Sequence, residues 1–192
     1  RDATEIVPAE WVQAIIDKGA SRKKGKVGEK KLAKILLQND FVQTDNVEVF
    51  LKTGKTFANF RGGKSKDFST AGVHKNFGVK FGKKTQGKKL DLIIKKGEQI
   101  YFLEAKHLRV SGGAQNKQIL EIINLLNFKT GKENYHTIAF LDGVYSNELL
   151  SAGVSLKSKK LKNKVQRQYA DIIKFLRSNP DNFWLNTAGF KN

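Results

Sequence analysis

The order of apolar patterns predicts an α/β (α+β) chain, a central sheet flanked by helices. Three observations carry this. Residues 27–38 place Val27, Leu32, Ile35 and Leu36 at helical spacing. Residues 90–105 hold two short apolar runs, Leu90 to Ile94 and Ile100 to Ala105. They are separated by Lys95-Lys96-Gly97-Glu98, a sequence suited to a short hairpin loop. A helical stretch over Gln115 to Phe128 then leads into Tyr135 to Leu141, a run that reads as a buried strand.

The remaining elements follow in chain order. Pro8 suits a first helical turn, and Trp11, Ile15 and Ile16 give the following residues an apolar face. Ser21 to Lys26 is a basic joint before the 27–38 helix. Val47-Glu48-Val49-Phe50-Leu51 alternates like a strand. Residues 52–89 are rich in glycine and lysine with scattered phenylalanine, and read as an irregular or hairpin insertion. Asp142-Gly143 closes the strand that begins at Tyr135. Two helices are expected near Asn147 to Ala152 and Lys164 to Arg177, and a terminal strand at Phe183-Trp184-Leu185. The chain is read as a single domain over 1–192. Its core spans about 24–141, the insertion 52–89, and a C-terminal helical extension about 144–192.

Composition narrows the partners. Lys+Arg number 36 against 18 Asp+Glu, for a net charge of +18, which suits a dense polyanion such as nucleic acid. There is no cysteine, which excludes disulfides and cysteine-based zinc sites. His74, His107 and His136 lack metal-ligand spacing. No apolar run reaches the length of a membrane span and no signal peptide opens the chain, so a cytoplasmic location is expected. The start at Arg1 and the lack of methionine predict a trimmed chain or a fragment.

The chemistry concentrates at residues 88–108. Asp91 interrupts the run Leu90, Leu92, Ile93, Ile94, and Glu104 and Lys106 end the next one. A carboxylate among aliphatic side chains is costly unless it has a partner or a metal. Side chains alternate along a strand, so Glu104 and Lys106 share a face, and a hairpin brings Asp91 beside Glu104. Two converging carboxylates make a hard-oxygen site suited to Mg²⁺. A lysine beside such an ion is placed to orient or deprotonate a water. These parts suffice for phosphodiester hydrolysis.

Asp91 with Glu104-Ala105-Lys106 resembles the PD-(D/E)xK nuclease superfamily, which includes many type II restriction endonucleases. Leu90 stands where that motif has proline. The resemblance covers about Val27 to Leu141 and implies an α-β-β-β-α-β core around a mixed sheet. It implies that Asp91 and Glu104 bind Mg²⁺ with the Ala105 carbonyl, and that Lys106 assists the attacking water. Residues 24–36, Lys-Gly-Lys-Val-Gly-Glu-Lys-Lys-Leu-Ala-Lys-Ile-Leu, resemble the first helix of Holliday-junction resolvases in the same superfamily. On that likeness Glu29 is a third candidate acid at the metal. The alternative is a helix-start carboxylate favoured by the dipole.

Several residues are expected to meet DNA. Arg61, Lys64, Lys83, Lys84 and Lys88 in the basic insertion suit phosphate neutralisation, and Arg61 beside Gly62-Gly63 suits guanine reading. Gly112-Gly113 opens a helix carrying Gln115, Lys117 and Gln118. This is either a phosphate-binding helix entry or an ordinary polar helix start. In relatives a polar residue of this helix reaches the active site, which favours Gln118. His107 follows the motif directly. The five lysines between Ser155 and Lys164 are a second DNA clamp or a soluble linker. The leading expectation is a type II restriction endonuclease that cuts duplex DNA as a homodimer. A structure-specific repair or recombination nuclease and a non-catalytic nucleic-acid-binding module are the other readings.

Overall fold

The computed structural model describes residues 29–60, 66–81, 90–108, 113–154 and 163–191. Six strands form one sheet in sequence order: β1 (Val42–Gln43), β2 (Lys55–Asn59), β3 (Leu92–Lys96), β4 (Gln99–His107), β5 (Tyr135–Asp142) and β6 (Phe183–Leu185). The pairings β2–β3 and β3–β4 are antiparallel, while β1–β2, β4–β5 and β5–β6 are parallel. The helices are α1 (described over 29–38), α2 (Val47–Lys52), α3 (Thr70–Phe77), α4 (Gly113–Leu126), α5 (Val144–Val154), α6 (Lys164–Ser178) and α7 (Thr187–Lys191).

Strand alternation divides the apolar side chains between two cores, giving a three-layer α/β arrangement. Leu92, Ile94, Leu103, Ile138 and Phe140 pack with Leu32 and Leu36 of α1, and Phe190 of α7 lies against them. Ile93, Phe102, Ala139 and Leu141 point the other way. They meet Val73 and Phe77 of α3, Ile119 and Ile122 of α4, Tyr145 and Leu149 of α5, and Ile172 of α6. The α5–α6 segment therefore shares the core of the central sheet. Among the described residues, no helix is long and apolar enough to cross a membrane.

Two expectations from sequence are corrected. Residues 47–51 are helical, not a strand. The Asn46 side chain caps α2, accepting from the N–H groups of Glu48 at 2.8 Å and Val49 at 3.1 Å. The alternating Val49 and Leu51 are left exposed, and Phe50 supplies the buried contact. The stretch 52–89 is not simply an insertion, because it contributes β2 and α3 to the fold. Phe68 and Phe77 from this stretch pack on Phe50 with ring centroids 5.2 and 5.7 Å away. Ser69 caps α3, and Gly78 ends it in the left-handed region at φ +73°.

The β3–β4 hairpin forms as expected. Lys96 pairs with Gln99, leaving Gly97-Glu98 as a two-residue loop, with Gly97 at φ +60°. Gly143 closes β5 at φ +101°, and a Cβ there would lie 2.2 Å from the Leu108 carbonyl oxygen. Gly143→Ala is expected to destabilise the protein by about 2 kcal/mol or more, from left-handed strain and steric overlap together. An unchanged urea midpoint for this variant would contradict that account.

Candidate active site at the open end of the hairpin

The register Leu92↔Leu103 sets Asp91 level with Glu104 at the end of the hairpin away from its loop. Asp91 is fixed at three points. Its N–H donates to Leu103 O at 2.9 Å and its carbonyl accepts from Phe60 N at 3.0 Å. Its carboxylate Oδ2 accepts from Ala105 N at 2.7 Å. The backbone of the residue between Glu104 and Lys106 thus orients the first acid.

Glu104 and Lys106 project from the same face of β4, and Lys106 Nζ lies 2.6 Å from Glu104 Oε1. This is an ion contact without hydrogen-bond alignment, since Glu104 Oε1 is buried and, among the described residues, accepts no hydrogen bond. A second carboxylate reaches the same lysine from the helical layer: Glu121 Oε2 of α4 lies 3.6 Å from Nζ. The side chains of Glu104 and Glu121 are only 7% and 3% exposed, and that of Lys106 16%. Sequence reasoning missed Glu121. The available signal was its setting, Ile119-Leu120-Glu121-Ile122-Ile123, which breaks an apolar run as Asp91 does.

Burial pushes the Asp91 carboxyl up from 3.8 to about 6. The negative charges of Glu29 and Glu104 add to this, while the Ala105 N–H and Lys106 oppose it. Glu29, in the first described turn of α1, is therefore near enough to act on Asp91 through its charge. A neighbouring cluster braces that helix. Asp142, across from His107 in the β4–β5 register, accepts from Thr187 Oγ1 at 2.6 Å and Lys31 Nζ at 3.3 Å. Burial acts to raise the Asp142 carboxyl. Hydrogen bonds from Thr187, the Gly143 backbone and Lys31 outweigh that and hold it below the ordinary value.

The other expected site residues are placed unevenly. Lys117 is exposed and Gln118 half-buried on α4, and the residue of that helix that meets Lys106 is Glu121, one turn beyond Gln118. Arg61, Lys64, Lys83, Lys84, Lys88 and the side chain of Gln115 lie outside the described residues, as does the 155–162 basic run. His107 is exposed at the end of β4.

Among the described residues, no group of three or more His, Asp or Glu closes into a metal-ligating cluster. Asp91 and Glu104 nevertheless fit a hard divalent cation. Mg²⁺ is commonly held by one or two carboxylates and keeps several waters. A carboxyl raised to about 6 gains from a cation more than an ordinary solvated one does. An apolar groove of about 440 Å³ between α1 and α7 includes Phe41, Tyr101 and Phe190 in its lining and none of these acids, so it is separate from the site. No protein-family model, no curated protein and no solved structure matches the chain.

Proposed function

We propose that this chain is a Mg²⁺-dependent endonuclease that hydrolyses phosphodiester bonds of double-stranded DNA, most like a type II restriction endonuclease of the PD-(D/E)xK superfamily. The observation that carries this reading is the meeting of Asp91, Glu104 and Lys106 at one end of the hairpin, with the Asp91 carboxyl raised by burial. The order α1, β1, α2, β2, α3, β3, β4, α4, β5 supports it, because it contains the α-β-β-β-α-β order of that superfamily with β1, α2 and α3 added to it. The net charge of +18 supports a polyanionic substrate.

Asp91, Glu104 and the Ala105 carbonyl would hold the ion. When bound, it supplies Lewis-acid polarisation of a phosphoryl oxygen. Lys106 orients the attacking water or helps remove its proton. The Ala105 N–H keeps the Asp91 carboxylate aimed while this occurs. Basic residues beyond the described ones, with Lys117, neutralise backbone phosphates. We place the protein in the cytoplasm, acting as a homodimer on two-fold symmetric sites.

A junction-resolving nuclease is the second reading, favoured by the charge of Glu29 acting on Asp91. One experiment separates these. The chain is incubated with plasmid DNA and with a synthetic four-way junction, in Mg²⁺ or Ca²⁺. Discrete plasmid fragments in Mg²⁺ are the expected result. Cutting of the junction alone would select the second reading, and binding without cutting under either metal would make the chain a non-catalytic binding module.

A further inference from the structure

Lys106 is gripped by carboxylates from two different layers. Glu104 belongs to its own strand, whereas Glu121 comes from α4. All three side chains are largely sealed from water, and charges that dry persist only against opposite charge. Glu104 has a second claim on it, because the proposed function assigns it to a divalent cation. An ion there would take up the carboxylate charge that now faces Lys106, and its own charge would repel the ammonium. A lysine has a long flexible stem and loses rotamer freedom when fixed, so a repelled ammonium swings out unless another group restrains it. Glu121 is that group, and its position on a separate helix makes its contact independent of Glu104.

We propose that Glu121 is a positioning residue that keeps Lys106 beside the attacking water once a cation occupies Glu104. The inference rests on the nuclease reading. Glu121 takes no proton and touches no substrate; it restrains the group that acts on the water. Its charge is what matters, so Glu121→Gln, which preserves shape, removes the restraint.

The test follows Lys106 by NMR, using lysine labelled at ¹³Cε and ¹⁵Nζ, in the full chain with Mg²⁺ alone. In the unsubstituted protein the Lys106 side-chain signal is expected to stay dispersed and slow to exchange at saturating Mg²⁺. In Glu121→Gln it is expected to collapse onto the solvent-exposed lysines as Mg²⁺ is added. The cleavage rate at saturating Mg²⁺ is expected to fall about 10- to 100-fold. A Lys106 signal in Glu121→Gln that matches the unsubstituted protein in Mg²⁺ overturns the inference. So does a weaker Mg²⁺ affinity with the Lys106 signal unmoved, because Glu121 then acts on the ion and not on the lysine. Should Glu121→Gln not fold, Glu121→Asp withdraws the carboxylate by one methylene and is read the same way. If the Asp91 and Glu104 carboxyl signals of the unsubstituted protein ignore Mg²⁺, the nuclease reading fails and the inference with it. In the two earlier outcomes the nuclease reading survives.

Discussion

Asp91→Ala, Glu104→Ala and Lys106→Ala are each expected to lower the rate of plasmid cleavage by roughly 10³-fold or more, while DNA binding in Ca²⁺ stays within a few-fold of the unsubstituted protein. The size follows from what each group does. Asp91 and Glu104 are the two side chains that would hold the ion, and removing a general-base or ion-holding group costs about 10² to 10⁴ in rate. Binding is expected to survive because, on the proposed function, it would rest on many basic contacts to phosphates other than these three residues. Losing two buried carboxylates also lessens repulsion of the DNA backbone, so the Asp91→Ala, Glu104→Ala double variant should bind at least as well as either single one. The effects are expected to be non-additive, because the three residues act as one unit. Full cleavage by the double variant would end the nuclease reading.

The second large effect is a pH-dependent stability that Asp91 controls. Its carboxyl is raised to about 6 in the folded chain, so the native state holds the proton more tightly than the unfolded state does. Below pH 3.8 both states are protonated and the group contributes nothing. From 3.8 to about 6 the unfolded chain ionises first, and stability falls as pH rises. Above 6 the full cost is present, roughly 3 kcal/mol for a carboxyl raised from 3.8 to about 6. Asp91→Asn keeps an oxygen to accept the Ala105 N–H and carries no charge. In metal-free buffer it is expected to match the unsubstituted protein near pH 4 and to melt about 6–12 °C higher at pH 7.5. Added Mg²⁺ should raise the melting temperature of the unsubstituted protein at pH 7.5 and leave Asp91→Asn unmoved. Identical melting temperatures for the two across this range would mean that burial of Asp91 imposes no such cost.

The hairpin and its charged end were legible from sequence because everything that makes them is local. Gly97 supplies the turn, period-two alternation sets the faces, and Asp91, Glu104 and Lys106 lie within sixteen consecutive residues. Glu121 was not legible in the same way. Its approach to Lys106 depends on how α4 is rotated over the sheet, and that is decided by Ile119, Ile122 and Leu126 packing under it. Residues 47–51 misled for another reason. Their alternation matched a strand, but a single side chain, Asn46, satisfies two backbone donors and starts a helix there. In the 52–89 stretch the density of glycine and lysine masked Phe57, Phe68 and Phe77, which are spaced too widely to form a continuous apolar run yet are all buried.

The bracing of Asp142 links parts of the chain that lie far apart in sequence. Lys31 Nζ donates to both Asp142 and Thr187 Oγ1, the latter at 2.9 Å, so one carboxylate ties α1 and α7 to the end of β5. Glu29 stands two residues before Lys31 on the same helix. Helix α7 is therefore tied through Asp142 and Lys31 to the helix that carries Glu29, whose charge acts on Asp91. A tag or truncation that displaces Thr187 is expected to loosen α1 as well as α7, so the two ends of the described chain respond together.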